Sequence, residues 1–251
     1  MQRGSESAPV SADPLLQPYR LKHLTLRNRI IITAHEPAYP EDGMPKDLYR
    51  AYHVERAKAG VALTMTAGSA SVSPDSPPVF NNILAYKDEV VPWLRRLADA
   101  CHEQGAAVMI QLTHLGRRTR WDKADWLPVV SPSHNREAAH RSFPKKLEDW
   151  DIERILKDYV DAAERVKEAG LDGLEIQAYG HLMDQFWSPL TNALDPLTAV
   201  RSTTVFASRS RCCAPCAGAL ATSLSLVCAT LATSCLKAGL ARRAASKSPG
   251  A

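Results

Sequence analysis

Four short apolar runs punctuate the chain: IIITAH (30–35), VALTMTAG (61–68), AVMIQLTH (107–114) and GLEIQAY (173–179). Each is partly β-branched and short enough to be a strand buried on both faces. Helical periodicity fills the intervals. In KDEVVPWLRRLADACHEQG the apolar positions 90, 91, 94, 97, 98 and 101 fall on one face. In LEDWDIERILKDYVDAAERVKEAG, residues Ile152, Ile155, Leu156, Tyr159, Ala163 and Val166 do the same. A shorter helix is predicted over 47–59. Each predicted helix runs into a glycine, Gly60, Gly105 or Gly170, which suits the left-handed position after a helix. The chain therefore reads β-α-β-α-β, a long loop, then α-β. That alternation predicts a parallel sheet, either doubly wound or a (β/α)8 barrel. No strand is followed by G-x-G-x-x-G, which weighs against the dinucleotide-binding variety of doubly wound sheet.

Composition breaks this regularity. The chain is 45% hydrophobic and 23% charged, as in ordinary globular proteins, and its net charge of +4 implies no nucleic-acid partner. No uncharged apolar stretch reaches the roughly 20 residues of a membrane span. The opening MQRGSESAPVSADP lacks the apolar run of a secretory signal, so a cytoplasmic location is expected. The last carboxylate is Asp195; residues 197–251 hold none, yet carry five of the six cysteines. Three segments are expected: a disordered 1–13, a folded 14–196, and a non-native, disordered or irregular tail over 197–251. Within the tail, Cys213-Ala-Pro-Cys216 is a single Cys-x2-Cys pair with no second pair after it, so no metal site is expected. Cys101, on a helix's apolar face, is read as core.

In both architectures, chemistry gathers at the C-terminal ends of the strands. The polar residues there are His35 and Glu36; Thr66, Ala67 and Gly68; Gln111, His114 and Arg117; and Gln177, Tyr179 and His181. Gln111 stands out as an amide inside an apolar strand, where a buried amide needs partners. It is either a satisfied core glutamine or an amide facing a planar, hydrogen-bonding cofactor ring.

The segments LKHLTLRNRIIITAHEP, GMP, YHVERAKAGVALTMTAGSASVSP, LADACHEQGAAVMIQLTHLGRR and YVDAAERVKEAGLDGLEIQAYGHLMDQFWSPLTN occur in the order seen in Old Yellow Enzyme-like NADH:flavin oxidoreductases. Over about residues 14–195 the chain resembles that family, and within it the branch of amine dehydrogenases, 2,4-dienoyl-CoA reductases and N-methyl amino acid demethylases. The resemblance implies a (β/α)8 barrel of which four βα units are present. It implies non-covalent FMN, with NAD(P)H as a candidate reductant and a small-molecule substrate. Thr33, Ala34 and His35 would lie beside the flavin, Ala67 would meet the ring through its backbone, and Gln111 would bond its pyrimidine edge. His114 and Arg117 would belong to the cofactor-side motif after the third strand. Tyr179 and His181 would face the substrate, in exchanged order and in a stretch one residue short, which points away from an enone reductase. The Fe–S region found after the barrel in some members would lie beyond this chain.

The family continues S-P-x-x-N into Y-G-G-S-x-x-N-R, whereas this chain reads TNALDPLTAVRSTTVFASRSRCC. Plausible GC-rich codons for 198–216, read one base out of register, spell YGGSLDNRVRFALEVLRAV. The same displacement over 220–239 spells GDELVVGLRYVGDELLEGG. The tail is therefore expected to be out-of-frame translation, its cysteines accidental, its half-barrel edge open to oligomerisation, and its FMN binding weak or absent.

Overall fold

The computed structural model describes residues 12–76, 78–120 and 127–193, and the backbone of a strand at Ser225–Cys228. The strands are β1 (Tyr19–Leu21), β2 (Leu24–Leu26), β3 (Ile31–Ile32), β4 (Leu63–Ser71), β5 (Ala107–Thr113), β6 (Val130–Ser131), β7 (Lys145–Lys146), β8 (Gly173–Ile176) and β9 (Ser225–Cys228). The helices are α1 (Asp47–Lys58), α2 (Val90–His102), α3 (Asp149–Glu168) and α4 (Leu182–Trp187). The principal sheet has the order β3-β4-β5-β8-β9, every neighbouring pair parallel. Strands that neighbour each other in sequence order are barrel topology, because a doubly wound sheet reverses its order at a switch point. Four βα units of a (β/α)8 barrel are thus in place, as expected.

The two faces of the sheet are differently dressed. Outward, Val108, Ile110, Leu112, Leu174 and Ile176 pack against Leu94, Leu97, Ala98 and Cys101 of α2 and Ile155, Tyr159, Ala163 and Val166 of α3. The helical stripes read from periodicity are these contacts, and Cys101 is fully buried. Inward, Leu63, Met65 and Met109 join Leu26, and the β1–β2 hairpin lays Leu21 and Leu24 under them. The hairpin floors the half-barrel with apolar surface.

The R-N-R segment stitches this lower end. The Arg27 guanidinium donates to the Gln104, Ala57 and Val61 carbonyls at 2.8, 2.6 and 2.7 Å. Asn28 donates to the Gly60 carbonyl at 2.8 Å. These carbonyls lie at and just past the ends of α1 and α2, and Gly60 and Gly105 are left-handed at φ 101° and 72° as the helix stops require. At the start of α3, Asp151 accepts from the Glu148 backbone N–H at 2.9 Å and from Lys145 Nζ at 2.6 Å.

Three extents differ from the pattern-based expectation. β3 is two residues long, because it pairs on one side alone and Thr33 onward leaves the ladder. β4 runs on to Ser71, with its register against β5 shifting between Thr66 and Ala70. Ala67 and Ser69 have φ of 51° and 123° there, so the strand bulges where it reaches the upper rim. Third, within the stretch expected to be irregular, Ser225–Cys228 pairs with Gly173–Ile176. The outer edge of β8 offers unpaired backbone groups, and a short strand-forming segment satisfies them. The rest of 197–251, including Cys213 and Cys216, and residues 1–11 lie outside the described residues. Among the described residues no helix is long and apolar enough to cross a membrane.

His53 of α1 is buried, its Nδ1 2.7 Å from Thr64 Oγ1 and its ring between Tyr49 and Tyr52. Burial, and then Arg56, push its pKa down to about 3. The unfolded chain therefore binds a proton below about pH 6.5 that the fold refuses. Stability is full above that pH and falls on acidification, by up to about 1.4 kcal/mol per pH unit for one such imidazole. Urea titrations of the wild type between pH 7 and pH 4 should show this slope, and His53→Gln should flatten it.

Candidate active site

Parallel pairing brings the C-terminal ends of β3, β4, β5 and β8 to one rim. Gln111 follows Met109 by two residues, so it shares the inward face. Its register partner on β8 is Glu175, and Gln111 Nε2 donates to Glu175 Oε1 at 2.6 Å. Gln111 is 8% exposed. The amide thus has a partner, a carboxylate on the inner face of the sheet. One step nearer the rim, Thr113 Oγ1 lies 2.7 Å from His181 Nδ1.

His181 opens α4, and burial, then Arg118 and His114, hold its pKa down to about 4. It is therefore a neutral imidazole at neutral pH, and adds to the acid lability described for His53. Tyr179 is 77% exposed at the lip, its backbone carbonyl accepting from Gln177 Nε2. Thr33 and His35 are exposed and Ala34 half-buried at the end of β3. Ala67 is buried, and its N–H donates to the Tyr49 hydroxyl at 2.7 Å. Gly68 meets the end of β3 closely: a Cβ there would sit 2.5 Å from the Glu36 backbone nitrogen, so no larger residue fits.

His114 and Arg117 do not join this rim. His114 is fully buried, and its Nδ1 accepts from the Gly116 N–H at 3.0 Å, which assigns the ring proton to Nε2. Nε2 lies 2.9 Å from Asp75 Oδ1, which also accepts from Ser73 Oγ, while Asp75 Oδ2 pairs with Arg154 of α3. Arg117 donates to the Asn135 and Arg136 carbonyls at 3.0 and 3.3 Å, and its own carbonyl accepts from Ser142. It pins the long loop carrying β6 and β7. The spacing of the motif places these side chains at the strand end, yet β5 continues into a turn that sends them toward α3 and the loop.

Glu36, Thr113 and Glu175 complete the rim. Glu175 carries the same signal as Gln111, a polar residue in an apolar strand. The Glu36 carboxyl is half-buried; Oε1 accepts from the Ala38 N–H at 2.9 Å, and Oε2 is buried without a partner. The rim can thus offer an amide and two carboxylates to a polar, planar group, with a neutral histidine and a tyrosine beside it.

Comparison with known proteins fits this geometry. The model of the NADH:flavin oxidoreductase / NADH oxidase family matches residues 14–194. A probable N-methylproline demethylase of Rhizobium meliloti (strain 1021) is 78% identical over 183 residues, covering 73% of this chain and 27% of its own length. A multifunctional alkene reductase/demethylase of Caballeronia cordobensis is 49% identical over 182 residues, 72% of this chain and 27% of its own. The chain thus spans about a quarter of the length of these relatives. Morphinone reductase in complex with tetrahydroNAD superposes with a TM-score of 0.76 at 22% identity, over 86% of this chain and 64% of the other, which shows the barrel fold. With its first four βα units in barrel order and the family's pattern running from 14 to 194, the chain belongs to the NADH:flavin oxidoreductase / NADH oxidase family.

Proposed function

We propose that the described rim is the first half of an FMN site and that its reaction is oxidative demethylation of an N-methylated amine. The observation that carries the cofactor half is Gln111, an amide aimed into the barrel at the strand ends with an acidic neighbour. The rim fits a flavin: Gly68 keeps the β3–β4 junction flat, and Glu36 Oε2 is an unmet polar atom beside it. Thr33, Ala34, His35 and the Ala67 backbone would flank the ring, and Gln111, released from Glu175, would donate to its pyrimidine edge. When bound, FMN supplies a two-electron acceptor that takes a hydride at N5. His181 stays neutral, so it orders the rim through Thr113 rather than presenting a charge. Tyr179, exposed at the lip, is free to meet the substrate. His114 and Arg117 act at one remove, by holding the loops.

The amine is favoured by the relatives' printed activities and by the stretch Ala178–Leu182, in which tyrosine and histidine stand exchanged. NAD(P)H is the corresponding reductant for the alternative direction, alkene reduction. The test is anaerobic: the chain is kept in excess FMN, without desalting, and mixed with N-methylproline beside a protein-free control. Loss of the flavin's visible colour with formaldehyde as product supports the reading. Colour lost to NADH and restored by an enone, with no response to the amine, refutes it. A second reading rests on the family match ending at residue 194: a half-barrel without catalysis, its tail read out of frame. Resequencing the codons for 195–198 tests it, a single missing or surplus base being the expected result.

A further inference from the structure

We propose that Glu36 is the counter-charge of this site, and that its unpartnered Oε2 takes the N–H proton of a cationic, N-methylated ammonium substrate. The inference rests on the amine reading given above. A carboxyl oxygen shut away from water and from every donor is a strained arrangement unless something completes it. Here the local turn fixes the side chain: Ala38, left-handed at φ 59°, aims its N–H at Oε1 and leaves Oε2 over. The close Gly68 backbone holds the Glu36 main chain from the β4 side. Among the described residues no Lys or Arg pairs with Glu36.

The charged and titratable groups around it are few. Tyr49 of α1 lies near enough for the two groups to feel each other's charge, and its hydroxyl is occupied by the Ala67 N–H. His35 precedes it in the chain, and β4 presents backbone alone at Ala67 and Gly68. Burial raises the Glu36 carboxyl to about 7, against the pull of the Ala38 N–H. Such a group changes charge around neutrality, and a bound cation favours its ionised form. In the proposed step the substrate N–H bond breaks, an O–H bond forms at Oε2, and the electron pair stays on nitrogen. No oxidation occurs in this step. An amine with a free lone pair is the form from which a methyl hydrogen can leave as hydride, and the oxidant for that later event is the flavin.

The experiment uses the full chain with 13C-labelled glutamate carboxyls, followed by NMR across pH. One carboxyl should titrate near neutrality and be missing in Glu36→Gln. Added 1-methylpyrrolidine, a cation at that pH, should lower its midpoint by a unit or more, a tenfold change in proton affinity, while neutral 2-cyclohexenone leaves it in place. Glu36→Asp, which keeps the charge on a shorter stem, should give a smaller shift. A midpoint indifferent to the cation, or moved equally by the enone, overturns the proposal. If N-methylproline bleaches the flavin but the cation moves nothing, Glu36 alone is misassigned. If the cation moves the midpoint and no amine bleaches the flavin, the reaction is misread instead.

Discussion

Mixed with excess FMN and passed over a desalting column, the 251-residue chain emerges nearly colourless. In (β/α)8 barrels a phosphate commonly sits at the loops after the seventh and eighth strands. The family match stops at residue 194, after the fourth. On the proposed reading, what the rim offers is directed at a ring: the Gln111 amide and the Ala67 backbone. Charge-assisted hydrogen bonds to a phosphate contribute about 1.5–3 kcal/mol each, so two of them lost weaken binding by about a hundred- to ten-thousand-fold. A ring held on one side also leaves its other face in water. The measurement is flavin absorbance per mole of protein after the column. One equivalent of retained flavin contradicts the expectation, and shows that 195–251 supplies a cradle of its own.

Replacing Asp75 by Asn lowers stability by about 3 kcal/mol, read as a drop in the urea midpoint at unchanged slope. Asp75 is 6% exposed and accepts from Ser73, His114 and Arg154 at once. Burial by itself would raise its pKa, but His114, Ser73 and Arg154 outweigh that and hold the carboxyl well below the usual range. The substitution leaves the Arg154 guanidinium with Asp158 and the Ser73 hydroxyl, both at 3.0 Å, and sets an amide against donors. Since Arg154 belongs to α3, Asp75 to the loop after β4 and His114 to the end of β5, two adjacent βα units loosen together. The pH dependence follows from the sign of the shift. A depressed carboxyl stabilises the fold above its unfolded pKa of about 3.9, and that stabilisation is lost as pH falls through the lower folded value. The gap between wild type and Asp75→Asn should therefore be full at pH 6 and narrow below about pH 4. A gap that stays constant to pH 2 would show that charge is not its source.

Periodicity made the helices legible because Leu94, Leu97 and Ile155, Tyr159 repeat at the spacing of one turn and bury one stripe. The strands were legible for the opposite reason: Val108, Ile110 and Leu112 face helices while Met109 faces the barrel, so the run stays apolar on both faces until Gln111. What local pattern could not carry was pairing over long sequence separations. That Gln111 meets Glu175 follows from the β5–β8 register, and that Asp75 meets His114 and Arg154 follows from the loop after β4, the end of β5 and the helix α3 converging. The family resemblance, not the spacing, put His114 and Arg117 on the cofactor side, whereas the turn at Gly116, left-handed at φ 59°, turns them toward Asp75 and the long loop. The two-residue strands β6 and β7 carry too few residues to announce an alternation.

We propose above that the inward rim receives an isoalloxazine ring through Gln111. Lumiflavin, the ring without its phosphate, tests it directly by fluorescence titration of the full chain beside Gln111→Leu, an apolar replacement of similar size. The expected result is weak, saturable binding of lumiflavin, no tighter binding of FMN, and loss of both in Gln111→Leu with the urea midpoint little changed. Equal binding by the variant and the wild type, or FMN binding far tighter than lumiflavin, would contradict it.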